Sequence, residues 1–216
     1  MSQPQTILIE VRQEWQEAWL TMSFRRRLMA GLFVLVVMLS LLPLFFQYIE
    51  QRQGTLLNDP VLRMLPAHNI STVLFIVMWS FSAYCLFRAV QMPKMLVTYL
   101  WSFIFLTVFR CLTITLIPLD PPAGLIGLVD PVSNFFYGSD KFVTKDLFFS
   151  GHTSSMFLLF LTVPGKKDKR LALAVTAVVA FLLLVQHVHY TLDVLGAFVF
   201  CWISQQIAAR TVLRRG

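Results

Sequence analysis

Residues 25–48 read RRRLMAGLFVLVVMLSLLPLFFQY, three arginines followed by an uncharged run from Leu28 to Tyr48. A helix needs about 20 mainly apolar residues to cross a bilayer, and this run meets that length. A charged start ahead of an apolar stretch resembles a signal peptide. This one is too long, however, and no small-residue cleavage site follows it, so it is expected to remain in the chain as a first membrane span.

Five more apolar runs of helical length follow: about Ile70 to Val90, about Met95 to Ile117 after Pro93, about Phe148 to Val163, about Leu171 to Val185 and about Tyr190 to Ala208. The whole chain of 216 residues is 57% hydrophobic and 13% charged, with a mean hydropathy of +0.70. Those values lie far from a soluble domain of this length. The expected fold class is therefore all-α: a polytopic integral membrane bundle of six transmembrane helices.

Ahead of the arginines, Leu8, Val11, Trp15, Trp19 and Met22 recur at three- and four-residue spacings, with Glu10, Arg12, Glu14 and Glu17 between them. This is an amphipathic helix, suited either to the membrane interface or to packing against the bundle. Residues 1–26 are read as a cytoplasmic amphipathic N-terminal segment and residues 27–216 as the membrane domain.

The formal net charge of +7 would point to nucleic acid in a soluble protein. Here its distribution argues for membrane orientation instead. With the N-terminus inside, Arg12, Arg25 to Arg27, Arg88, Lys94, Lys166, Lys167, Lys169, Arg170, Arg210, Arg214 and Arg215 all fall on the cytoplasmic side, thirteen of the eighteen Lys and Arg. Arg52, Arg63, Lys141 and Lys145 fall outside. Both termini are expected in the cytoplasm and no nucleic-acid partner is expected. Cys85, Cys111 and Cys201 lie in apolar stretches without a CxxC pair and read as packing residues.

The longest connection, Leu119 to Asp146, includes Phe135, Phe136 and Tyr137 and lies on the outer side; with the loop Gln51 to Asn69 it is a candidate lid. Ionisable groups near a span are costly, so each is a candidate for function. Arg110, His152, His189 and Asp193 come from three spans yet share the outer membrane level. On a helix His189 and Asp193, four apart, share a face, so the carboxylate can orient one imidazole nitrogen and leave the other to attack. His152 follows Ser150-Gly151 at a helix N-terminus, where backbone N–H groups and the helix dipole favour a phosphate group.

Two strings, Asp146-Leu147-Phe148-Phe149-Ser150-Gly151-His152-Thr153 and His187-Val188-His189-Tyr190-Thr191-Leu192-Asp193-Val194, resemble the catalytic motifs of the sphingomyelin synthase branch of the type 2 phosphatidic acid phosphatase (PAP2) superfamily. Arg110-Cys111-Leu112-Thr113, with Pro118 after it, is similar to that branch's R-C-x-T segment. The resemblance implies a metal-independent lipid phosphotransferase or phosphatase without cofactors. It makes His189 a nucleophile forming a phosphohistidine, Asp193 its orienting carboxylate and His152 the acid and base for the leaving and accepting alcohols. Arg110 is the expected phosphate contact. Ser150, Gly151, Asp146, Tyr190 and His187 complete the candidate substrate-binding set, His187 as an interfacial group. The partners implied are membrane lipids: a glycerophospholipid donor, and ceramide, diacylglycerol or water as acceptor. The site would face the periplasm in a bacterial inner membrane, or the lumen or exterior in a eukaryotic one.

The sequence departs from the wider superfamily, which has a K-x-x-x-x-x-x-R-P motif and an Arg six residues before the nucleophile. The first is absent and Leu183 holds the second position. Val188 stands where the synthase branch commonly has an acidic residue, leaving acceptor and head group open. Rival readings fit less well. A zinc site on H-x-H would need His187 and His189 on one helical face, the D-x-x-D-G motif of metal-dependent alcohol phosphotransferases is missing, and Phe148 stands where a rhomboid G-x-S-G needs glycine. A transporter would have no use for His152, His189 and Asp193 together.

Overall fold

The computed structural model describes residues 3–128 and 143–213. Phe135, Phe136 and Tyr137 of the candidate lid, and Lys141, Arg214 and Arg215 of the charge pattern, lie outside the described residues. Among the described residues the secondary structure is helical, with one isolated parallel bridge between Thr55 and Leu119. In order these are α1 (Gln3–Leu20), α2 (Met22–Glu50), the short α3 (Pro60–Met64), α4 (Ser71–Gln91), α5 (Pro93–Leu116), α6 (Gly151–Thr162), α7 (Lys166–Val185) and α8 (Thr191–Ala208). A π-helical turn, Ala209–Leu213, extends α8.

Among the described residues four segments are long and apolar enough to cross a membrane: α2, α4, α5 and Thr191–Val212. Their outward faces are apolar; on α2 alone Met29, Leu32, Phe33, Val36, Val37, Leu41 and Leu44 are exposed. A patch of this extent would drive aggregation in water, whereas lipid covers it without penalty. Of the other two predicted runs, α6 has 12 residues, a rise of about 18 Å against a hydrocarbon core of about 30 Å. The helix α7 has the length, 20 residues, but opens on the charged run Lys166-Lys167-Asp168-Lys169-Arg170.

The N-terminal segment breaks from the bundle at Thr21, whose extended backbone (φ −82°, ψ 113°) separates α1 from α2. The arginine triplet belongs to the first turns of α2. Proline sits at the first turn of α3 and of α5, where its missing N–H costs no helical bond.

Two of the core clusters lie around α6 and its neighbours. Leu74, Met78, Phe81 and Cys85 of α4 pack with Met156 and Leu159 of α6 and with Ala172, Val179 and Leu183 of α7. Leu106 of α5, Leu158 of α6 and Ala197 and Cys201 of α8 form a second cluster with Phe149. That second cluster positions the site. Phe149, just ahead of α6, stacks on Phe200 of α8 with ring centroids 4.6 Å apart and planes 8° from parallel. Gly196 lets the two segments close: a Cβ there would lie 3.2 Å from that of Phe149. The start of α6 is thereby held against α8. Cys85 and Cys201 are buried and Cys111 is half-buried, all as free thiols.

Candidate active site

His189 and Asp193 sit where α8 begins, and the expected pair forms: His189 Nδ1 lies 3.3 Å from Asp193 Oδ2, at the long end of hydrogen-bond range. Two backbone donors hold the carboxylate in place. The Tyr190 amide donates to Oδ2 at 3.0 Å and the Phe148 amide to Oδ1 at 3.2 Å. Asp193 is fully buried and His189 is only 3% exposed, so this geometry is shielded from competing water. An Nδ1–H facing Asp193 leaves the Nε2 lone pair free to attack, the tautomer a nucleophilic histidine needs.

The Asp193 backbone does a second job: its carbonyl accepts from the Ser150 amide at 3.0 Å. Asp193 therefore fixes both its own histidine and the segment delivering the other. Phe148 has positive φ (51°), and Thr113 Oγ1 of α5 donates to its carbonyl at 2.8 Å. This explains why α6 starts at Gly151 instead of Phe148: residues 148–150 are tied to α5 and α8, so they cannot join the helix. Ser150 caps it, Oγ accepting from the Thr153 amide at 3.3 Å. His152, in the first turn, then lies with its ring centroid 6.4 Å from that of His189.

Arg110 closes the third side. Its guanidinium pairs with Asp146, and Nε donates to the Phe149 carbonyl at 3.3 Å. It lies against Gly151 so closely that a Cβ on that glycine would be 2.2 Å from Nη1. Glycine leaves room for the guanidinium here; a side chain at this position would displace that flexible end. The guanidinium, the amino end of α6 and His152 border one space, groups suited to a phosphate.

A cavity of about 440 Å³ leads from this space into the bundle. Leu35, Leu39, Leu42 and Phe46 of α2 and Met78 and Trp79 of α4 form its apolar walls, while Arg110, Gly151, His152 and Ser155 line its polar end. The cavity is thus amphipathic along its length, as a lipid is.

Residues 145–207 match the PAP2 superfamily C-terminal family. No curated protein and no solved structure matches the chain. The PAP2 segment contains both histidines, Asp193 and Asp146, and it supports phosphatase or phosphotransferase chemistry on an integral membrane protein. Arg110 lies outside it and joins the site only through the fold.

The remaining candidates serve the frame around the PAP2 segment. Asp146 holds Arg110 and Ser150 caps α6. Tyr190 is buried, its hydroxyl donating to the Asp120 carbonyl at 2.9 Å and accepting from the Leu57 amide at 3.2 Å. His187, with positive φ (55°), has Nδ1 at 3.0 Å from the Ala123 carbonyl and Nε2 at 2.9 Å from that of Leu65. Both nitrogens are occupied by loops, which removes His187 from the phosphate gap and from any shared metal position with His189.

Sequence reasoning missed Asp59. Its carboxylate caps α3 through the Val61 and Leu62 amides and reaches across to α8, where Thr191 donates its amide at 2.6 Å and its hydroxyl at 3.1 Å. The Asp-Pro step advertised a helix start, but no local signal announced the second partner. Burial tends to raise its carboxyl pKa; the hydrogen bonds from Thr191, Leu62 and Val61 outweigh that and hold it below its ordinary value of 3.8. A lowered carboxyl stabilises the folded state above its unfolded pKa, and the contribution is lost as pH falls through the folded one. Asp59→Ala is therefore expected to lower the melting temperature at neutral pH, by the equivalent of about 0.5–2 kcal/mol for a lost cap. The gap from the parent should narrow below pH 3.8, which thermal melts across pH in detergent would measure.

Proposed function

We propose that this protein is a membrane lipid phosphotransferase that moves a phospho-head group from a glycerophospholipid, through a phosphohistidine on His189, to a lipid alcohol such as ceramide or diacylglycerol. The observation that carries the reading is an amphipathic cavity with Arg110, Gly151 and His152 at its polar end, where the His152 ring lies 6.4 Å from that of the buried His189. In the first half-reaction His189 Nε2 attacks phosphorus, the N–P bond forms and the bond to the diacylglycerol oxygen breaks. Protonated His152 gives its proton to that leaving oxygen. In the second, His152 takes the proton of the acceptor hydroxyl, a new O–P bond forms and the N–P bond breaks. His152 ends protonated again, ready for the next cycle.

Asp193 balances the charge that develops on the phosphorylated imidazole, and Arg110 with the amino end of α6 balances that on the phosphoryl oxygens. Nucleophile, acid and counter-charge all come from this chain, so the reaction draws on no cofactor. The three motifs that resemble the sphingomyelin synthase branch support transfer between lipids. Water as acceptor would make the protein a lipid phosphatase or phospholipase C-like hydrolase on the same site.

In this reading all six apolar segments belong to the membrane domain, with both termini in the cytoplasm and the site at the opposite face. The arginine- and lysine-rich ends of the spans support that orientation. The test is product analysis with head-group-labelled phospholipid in reconstituted vesicles, with and without ceramide or diacylglycerol. Transfer predicts label in a second lipid that depends on the added alcohol. Free phosphorylated head group released equally with or without acceptor would replace transfer by hydrolysis.

A further inference from the structure

The helix α1 takes no part in the site, and its surface divides into three stripes. Val11, Trp15 and Ala18, at spacings of three and four, are half-buried against the bundle. Trp15 stands edge-on to Phe24 with centroids 6.1 Å apart, and its indole N–H donates at 2.7 Å to the Val90 carbonyl, in the last turn of α4 where carbonyls lack helical partners. A second stripe, Glu10, Glu14 and Glu17, is exposed. Glu14 and Glu17 look across a cavity toward Lys94, Thr162 and Pro164, at the ends of α5 and α6 remote from the site. The third stripe is uncovered: Leu8 is 69% exposed and Trp19 47%, with the exposed Arg12 between them.

At about 100° per residue, the acidic and the uncovered apolar stripes fall on opposite flanks of the packed one. A helix lying along the margin of a bundle, with water on one flank and lipid on the other, has this division. The next helix says which substance covers the apolar flank. α2 begins at Met22, one residue beyond Thr21, and is a membrane-spanning candidate of 29 residues. Where it enters the bilayer, α1 must lie at the interface.

We propose that α1 is a lipid-binding element lying flat in the membrane interface. Leu8 and Trp19 sit in the boundary between acyl chains and head groups, Arg12 meets lipid phosphates, and Glu10, Glu14 and Glu17 face water. Tryptophan and arginine suit this depth because each combines an apolar body with a polar end. The inference depends on α2 crossing the bilayer and is independent of the chemistry at His189.

The test places nitroxide labels at single introduced cysteines in the full chain, reconstituted in phosphatidylethanolamine and phosphatidylglycerol vesicles. Cys111→Ser removes the half-buried native thiol, while Cys85 and Cys201 are buried. Leu8→Cys and Trp19→Cys should give a ratio of oxygen to water-soluble nickel accessibility several-fold above that of Glu10→Cys and Glu17→Cys. All four positions are exposed, so the packed stripe stays intact. Equal ratios at the four sites would overturn the proposal. So would exclusion of both reagents from positions 8 and 19 with dipolar broadening, which would mean that a second copy of the chain covers the face. As an independent measurement, shallow brominated lipids should quench tryptophan fluorescence less in Trp19→Phe than in the parent; unchanged quenching would count against the proposal.

Discussion

His189→Ala is expected to reduce turnover by about 10⁴-fold or more, the scale on which loss of an attacking residue acts when its partners remain. In the proposed mechanism the substitution removes the nitrogen that forms the N–P bond, and neither nearby imidazole is placed to replace it: His152 lies across the gap and His187 is bound to Ala123 and Leu65. Asp193→Asn should approach the same loss by a different route. An amide can present its NH₂ to Nδ1, which favours the opposite tautomer and puts the proton on the attacking nitrogen. Rapid quenching with labelled phospholipid separates the steps. His189→Ala should form no acid-labile phosphoprotein, while His152→Ala should form it slowly. Acid-labile label on His189→Ala protein would remove His189 as the nucleophile.

Gly151→Ala is expected to lower kcat by about 10²- to 10³-fold, the scale for losing one charge-stabilising donor. An alanine Cβ would occupy the place of the Arg110 guanidinium, at 2.2 Å from Nη1 and 2.6 Å from Cζ. The guanidinium must then leave its position between Asp146 and Phe149. Alanine suits a helix better than glycine, so α6 itself is not weakened and membrane insertion should persist. Arg110→Lys should show a similar loss, since an ammonium cannot reproduce the planar fork. Steady-state turnover with circular dichroism checks both, and wild-type turnover in Gly151→Ala would take Arg110 out of the phosphate site.

The most legible part of the site was its shortest-range part. His189 and Asp193 are four residues apart, His189 just ahead of α8 and Asp193 in its first turn, and Ser150-Gly151-His152 is a cap followed by a first turn, so short spacing brought out their relation. Arg110 was legible as a costly charge in an apolar run and through the R-C-x-T resemblance. That its partners are Asp146 and Gly151 depends on how α5 meets the segment before α6. Phe148 illustrates the limit from the other side: hydropathy extended the fourth run through it, yet Asp193 and Thr113 capture its backbone and the helix begins at Gly151.

By itself the sequence determined the medium and drew out the His189–Asp193 pair. Long uncharged runs can be satisfied only in lipid, as helices that bond their own backbone, and a four-residue spacing kept the imidazole and the carboxylate together where one such helix begins. Tertiary structure alone decided which loops brace that helix and which groups share the phosphate gap. Asp59 meets Thr191 across 132 positions of chain and His187 meets Leu65 across 122. Pairings at such separations have no periodicity to read, because they arise from packing of whole helices and not from the rise and turn of any one of them.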